Sequence, residues 1–270
     1  MQHLSKIYNV FLLVLIFSIC SCKKDSSPER PAEERTSIEK TVTIDLSSNC
    51  GGLYQSVPAA YDNTTTSYPL LVFLHSGSEI GNGSTDLPKL LNMPIFSRLQ
   101  KGTFPASFSA GGQSFSFIVV SPQFKKWPVI ADVDAVVEYC KRNLRVDQSR
   151  IYIMGCSMGG GATWEYSAAY SSKIAAIVPI AGASTPDLSR VTRIASGGLP
   201  VWAFHNADDP TVSVSNTNTY VDGINSLSPE MPAVKTIWAT GGHDAWTKAT
   251  DPAYKENGRN VYEWMLQFKR

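Results

Sequence analysis

The strongest chemical signal in this chain is a serine between two glycines. Ser157 is the central residue of the run GCSMG at residues 155–159. An apolar stretch precedes this run, and a stretch with helical character follows it. A sharp turn between a strand and a helix strains the backbone of the serine, and Gly155 and Gly159 leave room for the neighbouring chain. Because such a turn lifts the hydroxyl above the sheet, the pattern predicts that Ser157 is a nucleophile.

A serine nucleophile needs a base, and the chain has four histidines, of which His3 lies in the N-terminal leader. His75, His205 and His243 each follow a predicted strand, at the edge where open α/β sheets bind ligands. With a turn of this kind the order along the chain is Ser, acid, His. Only His243 follows both the serine and a candidate acid, and the two glycines before it would let a loop bring its imidazole over Ser157. The other two rings are expected to tie loops at the sheet edge.

The acid is expected after the next-to-last strand, where the chain reads HNADDP from residue 205. Two adjacent aspartates cannot both face one imidazole. Asp209, which precedes the proline, fits the loop that places the acid better than Asp208 does, and Asp187 is a third alternative. The carboxylate would fix the tautomer of His243 and stabilise the imidazolium.

An oxyanion formed at this site would need two backbone N–H donors already in position. The N–H of Met158 is one candidate, because it directly follows the nucleophile. The other is expected in the loop after the strand LLVFLH, at Gly77, where the nearby Glu79 either orders the loop or is a solvated charge.

Nothing in the composition suggests a nucleic-acid partner, and the cysteine spacing suggests no metal site. The net charge is +1, and no Cys-x-x-Cys spacing occurs. Apart from Cys20 and Cys22 near the N-terminus, three cysteines remain, namely Cys50, Cys140 and Cys156. This number allows one disulfide but no framework, and three buried free thiols are the favoured interpretation.

Strands and helical stretches alternate from residue 41 onward, which predicts an α/β fold. Such alternation is typical of a mostly parallel, doubly wound sheet with helices on both faces. The first two strands are expected to form an antiparallel pair, and the connection 181–199 is too short for a sizeable lid. The predicted strands are 41–46, 53–60, 68–75, 115–121, 150–155, 174–181, 199–204 and 234–239, and the predicted helical segments are 133–144, 160–170 and 260–269.

The N-terminus has the pattern of a lipoprotein signal peptide. Lys6 precedes an apolar run, residues 10–19, that is too short to span a bilayer well. The run ends in ICSC, which resembles a bacterial lipobox with Cys22 as the lipidated residue. A plain secretory signal with an incidental cysteine is the alternative.

Three segments follow from this pattern: a signal peptide at 1–21, a flexible tether at 22–40 and a catalytic domain at 41–270. The tether is charged and polar and contains two prolines, so it cannot bury a core. The protein is therefore expected in the bacterial cell envelope, where it would touch the membrane only through its lipid anchor.

The motifs together resemble one branch of the α/β-hydrolases, the secreted esterases and candidate peptidases near the carbohydrate esterases, polyhydroxybutyrate depolymerases and dienelactone hydrolases. That branch typically reads PLVVFLHGAGE, FIVVAPQ, RIYLTGLSMGG, PVWAFHGxxD and GHDSW. Here the stretches are PLLVFLHSGSE, FIVVSPQ, RIYIMGCSMGG, PVWAFHNADD and GHDAW, in the same order over residues 41–270. Ser76 and Asn206 stand where the family typically has glycine. The change at Asn206 does not affect the choice of Asp209 as the acid. Dienelactone hydrolases proper carry a cysteine in place of Ser157.

The resemblance implies an esterase that works by two-step acyl transfer without a cofactor. Ser157 would attack the ester carbonyl with His243 as base and Asp209 as acid, and Met158 and Gly77 would bind the oxyanion. A peptidase on the same triad and a non-catalytic tethered binding module are the alternatives. The substrate would be a small or polymeric ester, such as an acylated polysaccharide side chain. Four aromatic residues either line a subsite or, as is favoured, pack in the core and rim: Phe124, Trp127, Trp164 and Trp246.

Replacing the proposed lipidated residue tests the anchor. Cys22→Ala should release the protein from membranes and abolish labelling by a fatty-acid analogue, because no thiol would remain to accept the lipid. Membrane fractionation and mass spectrometry measure both effects. The lipobox interpretation is wrong if the variant still sediments with membranes and mass spectrometry of the wild type shows no lipid.

Overall fold

The apolar runs of the sequence form one mixed sheet of eight strands, with a separate two-stranded hairpin beside it. The computed structural model describes residues 37–270, so the predicted signal peptide, Cys22 and most of the predicted tether lie outside the described residues. The strands are β1 (Ile38–Ser47), β2 (Cys50–Val57), β3 (Tyr68–Leu74), β4 (Phe108–Ala110), β5 (Gln113–Phe115), β6 (Ile118–Phe124), β7 (Val146–Cys156), β8 (Ala176–Ile180), β9 (Trp202–Asn206) and β10 (Val234–Trp238).

Seven α-helices occur in the described residues, and short 3₁₀ turns such as Gly77–Glu79 connect other elements. The helices are α1 (Pro94–Gln100), α2 (Ile130–Asn143), α3 (Met158–Tyr170), α4 (Leu188–Ser196), α5 (Val214–Ser226), α6 (Trp246–Ala249) and α7 (Val261–Met265).

The order across the main sheet is β1-β2-β6-β3-β7-β8-β9-β10. β1 pairs antiparallel with β2, and β2 with β6, whereas the remaining neighbours are parallel. The predicted parallel sheet with an antiparallel pair at its N-terminal edge is therefore confirmed. The carboxyl ends of β3, β7, β9 and β10 lie along one edge, where ligands bind in sheets of this kind.

Side chains of successive strand residues enter two different cores, one on each face of the sheet. In β3, Leu70, Val72 and Leu74 pack in the core covered by α2, α3, α4 and α5. Leu71 and Phe73 pack in the opposite core, which contains residues of α1 and α7. Because each fully buried side chain of this size contributes roughly 1.5–3 kcal/mol, the two cores fix the strand register that positions the site.

One predicted strand is displaced along the chain. The strand predicted at 115–121 lies instead at β6, because Phe115 pairs back with Phe108 in the β4–β5 hairpin. The hairpin turn places Gly111 and Gly112 at φ values of 58° and 76°, which glycine adopts without steric cost. The apolar run is thus divided between two sheets.

Both ends of the folded part also differ from the prediction. β1 begins at Ile38, three residues before the predicted domain boundary at residue 41. The helix predicted at 260–269 is limited to α7, since the following chain docks on β7, where the Tyr152 hydroxyl donates to the carbonyl oxygen of Phe268 at 2.8 Å. The division into signal peptide, tether and catalytic domain otherwise stays a prediction.

The connection 181–199 contains α4, which packs against α3 and α5. Across residues 37–270, no helix is both long enough and apolar enough to cross a bilayer. Cys50, Cys140 and Cys156 are all buried and unpaired.

Candidate active site

The turn between β7 and α3 holds Ser157 in a strained backbone conformation. Its φ is 51° and its ψ is −116°. The chain approaches itself closely here, since a Cβ on Gly155 would lie 2.4 Å from the carbonyl oxygen of Gly159. A Cβ on Gly159 would lie 2.0 Å from the carbonyl oxygen of Leu74. Only glycine fits at either position, so the glycines of the motif are explained by direct contact.

The structure brings Ser157, His243 and Asp209 into one hydrogen-bonded chain. Nε2 of His243 lies 2.8 Å from Oγ of Ser157, and Nδ1 lies 2.7 Å from Oδ2 of Asp209. Because a carboxylate only accepts, Nδ1 carries the proton. Nε2 is then free to accept the proton of the serine hydroxyl, which is the arrangement that a general base requires.

The carboxylate of Asp209 is fully buried, and each of its oxygens has hydrogen-bond donors. Oδ1 accepts from the N–H groups of Thr211 at 2.8 Å and Val212 at 2.9 Å. Burial alone would raise the pKa of Asp209. The hydrogen bonds from His243 and from these two N–H groups outweigh the effect of burial, so the pKa lies below its usual value. The carboxylate is therefore ionised where it faces the imidazole.

His205 is a further neighbour of this carboxylate. Its Nε2 lies 3.2 Å from Oδ2 of Asp209 and 2.9 Å from the carbonyl oxygen of Val212, while Nδ1 lies 2.8 Å from Oγ1 of Thr217. Two acceptors at Nε2 require the proton there, and burial lowers the pKa of His205, so the ring is neutral. The predicted loop-tying role is confirmed, and the contact with Asp209 is additional.

The two alternative acids lie elsewhere. Asp208 accepts from the N–H groups of Gly241 at 3.3 Å and Gly242 at 2.8 Å. Asp187 caps the N-terminus of α4 by accepting from the N–H of Arg190 at 2.9 Å. Asp209 is thus the aspartate that faces the histidine, although its catalytic role stays a prediction.

The two candidate oxyanion donors stand at the starts of helical turns next to Ser157. Met158 begins α3 and Gly77 begins a 3₁₀ turn, positions whose N–H groups have no partner within the helix. Among the described residues, neither N–H donates to another group of the protein. The close contact of Gly159 with the end of β3 brings the two segments together. Their role in oxyanion binding stays a prediction.

The loop that carries Gly77 is ordered by a buried carboxylate. Glu79 is only 3% exposed, and its Oε2 accepts from Oγ of Ser76 at 2.7 Å. Ser76 has φ of −79° and ψ of 176°, an extended conformation that any residue adopts, so replacement of the family glycine causes no strain here. Of the two interpretations of Glu79, ordering of the loop is the one that the geometry supports.

His75 ties this loop to the end of β6. Its Nδ1 donates to the carbonyl oxygen of Ser76 at 2.6 Å, and its Nε2 accepts from the N–H of Phe124 at 3.0 Å. Burial lowers the pKa of His75 to about 4, so the ring stays neutral in this structural role, as predicted.

Four aromatic residues were candidates for a subsite, and they divide into two pairs. Phe124 and Trp164 are fully buried in the core. Trp246 packs edge-on against the imidazole of His243, with ring centroids 5.1 Å apart. Trp127 is 40% exposed, and its ring lies against Gly161, whose N–H donates to the carbonyl oxygen of the nucleophile. Trp127 is the most exposed of the four aromatic side chains.

The thiol of Cys156, next to Ser157 in the chain, is buried. Burial raises the pKa of the Cys156 thiol well above its usual value, an effect to which Glu79 adds, so the thiol is protonated and shielded. Within the described part of the chain, no group of three or more His, Cys, Asp or Glu side chains is arranged to hold a metal ion.

A mixed eight-stranded sheet with a strained serine at the turn after β7 defines the α/β-hydrolase fold. Comparison with known proteins agrees, because the dienelactone hydrolase family matches residues 114–257, more than half of the chain. The chain belongs to the dienelactone hydrolase family.

One curated relative is a bifunctional acetylxylan esterase/xylanase from Neocallimastix patriciarum. It is 24% identical over 117 residues, which make up 40% of this chain and 17% of that protein. The chain thus corresponds to a small part of that relative.

Two solved structures share the fold. A thermostable esterase superposes with a TM-score of 0.62 at 24% identity, over 87% of this chain and 63% of its own. A ferulic acid esterase superposes with a TM-score of 0.59 at 17% identity, over 80% of this chain and 95% of its own.

Proposed function

We propose that the protein is a serine hydrolase of carboxylic esters, with Ser157 as nucleophile, His243 as general base and Asp209 as the acid that orients it. The observation that carries this proposal is the continuous hydrogen-bond chain from the buried carboxylate through the imidazole to the hydroxyl. The strained turn is a second support, since it exposes the hydroxyl at the edge of the sheet.

In the first step Oγ of Ser157 attacks the ester carbonyl carbon while Nε2 of His243 takes the hydroxyl proton. The carbonyl oxygen gains the negative charge, and the N–H groups of Met158 and Gly77 stabilise it. The imidazolium is stabilised by the ionised carboxylate of Asp209 and then protonates the leaving alcohol. The product of this step is an acyl-serine and a free alcohol.

In the second step a water molecule takes the place of the alcohol. His243 accepts a proton from the water, and the resulting hydroxide attacks the carbonyl carbon of the acyl-serine. Collapse of the oxyanion returns the proton to Oγ and releases the carboxylic acid. Every proton moves through one imidazole, and neither step needs a cofactor.

Removal of the nucleophile is the first test. Ser157→Ala should reduce ester hydrolysis by about 10⁴ or more while the fold survives, because alanine removes only the hydroxyl and residue 157 belongs to neither core. Turnover of p-nitrophenyl acetate measures the loss, and Ser215→Ala, at an exposed serine, is the matched control.

A fluorophosphonate probe should label the wild type and not Ser157→Ala, since it reacts with an activated serine. Ordinary turnover in the variant would end the proposal. Absence of both turnover and labelling in the wild type would favour a binding module instead. Turnover of a peptide anilide in preference to esters would favour a peptidase.

The acid is tested by a pair of neighbouring substitutions. Asp209→Asn should lower kcat by about 10⁴, because an amide facing Nδ1 cannot hold the required tautomer. Asp208→Asn should lower kcat only about threefold, since its carboxylate faces Gly241 and Gly242 and asparagine keeps one acceptor oxygen. Steady-state kinetics of both variants on one soluble ester decides between them. A large loss in Asp208→Asn alone would show that the wrong aspartate was chosen.

We further propose that the substrate carries a ring, as in an ester on a polysaccharide. Trp127 supports this, because it is 40% exposed and its ring lies against Gly161, in the first turn of the helix that follows Ser157. The side-chain amide of Asn49 donates to the backbone carbonyl oxygen of Trp127 at 3.4 Å, which restrains the chain that carries this ring. The names of two similar proteins, an acetylxylan esterase/xylanase and a ferulic acid esterase, agree with such substrates.

Truncation of this ring should separate two kinds of ester. Trp127→Ala should lower kcat/KM for methyl ferulate or acetylated xylo-oligosaccharides about tenfold, which corresponds to roughly 1.4 kcal/mol of lost stacking. Ethyl acetate, which has no ring, should be hydrolysed at an unchanged rate. Trp127→Phe is the control and should retain most of the selectivity. An equal loss on both kinds of ester would contradict a role in ring binding.

We also propose that a lipid on Cys22 holds the enzyme at a membrane with its active site facing away. The register supports this geometry, because Ile38 at the start of β1 pairs with Val57 at the end of β2. The other end of β2, at Cys50, pairs with Phe124 at the carboxyl end of β6. The folded chain therefore begins at the edge of the sheet opposite the site, which suits a large extracellular or periplasmic ester.

A further inference from the structure

The loop that carries His243 has little backbone restraint of its own. It connects β10 to α6, and Gly241 and Gly242 directly precede the histidine. Their φ values of 144° and 57° lie in the region that favours glycine, and two consecutive glycines allow a chain many other conformations. The 2.8 Å contact between His243 and Ser157 therefore requires restraint from outside the loop.

Two side chains that follow β9 supply this restraint. The carboxylate of Asp208 accepts from the N–H of Gly241 at 3.3 Å and from the N–H of Gly242 at 2.8 Å, one bond to each oxygen. The amide nitrogen of Asn206 donates to the carbonyl oxygen of Gly242 at 3.0 Å. Both polar groups of Gly242 are thus held, and hydrogen bonds to a charged acceptor are stronger than neutral ones.

Asn206 is a rigid support for this contact. It is the last residue of β9, it is 2% exposed, and it is in register with Trp238 at the end of β10. A Cβ on Gly241 would lie 2.5 Å from the Asn206 amide nitrogen, so the loop packs directly on that side chain.

We propose that Asp208 and Asn206 are positioning residues that hold the Gly241–Gly242 segment so that His243 stays in line with Ser157. This inference rests on the proposed function. Proton transfer requires the base within hydrogen-bond reach of the hydroxyl, and small displacements of a catalytic group are costly. The two residues would therefore affect the chemical step and not the binding of substrate.

The kinetic test compares three variants. Asp208→Ala should lower kcat about tenfold with KM unchanged within about twofold, and Asn206→Gly should have a similar effect. Asp208→Asn, which keeps one acceptor, should lie between Asp208→Ala and the wild type. Asp222→Ala removes an exposed aspartate of α5 that pairs with Lys235 of β10, and it is the matched control, with kinetics like the wild type. Melting curves should show all four variants folded.

A double-mutant cycle with His243 separates positioning from a general structural effect. In a His243→Ala background the residual hydrolysis no longer depends on where the loop holds an imidazole. Asp208→Ala should therefore cause no further loss there, although it costs about tenfold when the histidine is present. The rate of fluorophosphonate labelling should follow the same pattern, since it reports activation of the serine without turnover.

Two results would overturn the inference. If Asp208→Ala and Asn206→Gly both behave like Asp222→Ala, the contacts do not position the base. If Asp208→Ala causes the same tenfold loss in the His243→Ala background, it acts by a route other than the histidine. Neither result affects the proposed function, which is tested separately and fails if Ser157→Ala or His243→Ala retains ordinary activity.

Discussion

Ser157 is held with positive φ, a conformation that costs roughly 1–3 kcal/mol for a residue with a side chain, and the packing around the turn offsets that cost. Its N–H donates to the carbonyl oxygen of Ile180, and its own carbonyl oxygen accepts from the N–H groups of Gly161 and Ala183. The turn is therefore bonded to the strand beside it and to the helix that follows. The glycines of the motif allow this close approach, and without it the hydroxyl would not be held at the sheet edge.

A second constraint is electrostatic, because a buried carboxylate is stable only when it is hydrogen-bonded. Asp209 meets this condition through backbone N–H groups on one oxygen and two imidazoles on the other. Its neighbour Asp208 is exposed and instead binds backbone N–H groups of the histidine loop. Adjacent residues of the same type thus have different environments because successive side chains leave the loop in different directions.

The sequence predicts most of the sheet, since continuous apolar runs bounded by polar segments are typical of buried parallel strands. The β4–β5 hairpin was not predicted, because its short strands lie within a longer apolar run that ends in β6. Helices α4 and α5 were also missed, as they contain many polar and β-branched residues and depend on tertiary packing. The contact of His205 with Asp209 and the bonds made by Asn206 join side chains to groups that only the folded chain brings near.

The placement of Asp209 and His243 can be understood at two levels. β9 and β10 are parallel and in register, with Asn206 opposite Trp238, so the loops that follow them begin at the same height on the sheet. Register alone brings Asp209 and His243 into the same region, because the strands are about 5 Å apart. It does not fix an imidazole to within hydrogen-bond distance of both neighbours. That final placement depends on local polar contacts and on the Trp246 ring, which packs edge-on against the imidazole. Substitutions in these contacts can therefore change the alignment of the His243 imidazole with Ser157, while the cores, and hence the fold, stay intact.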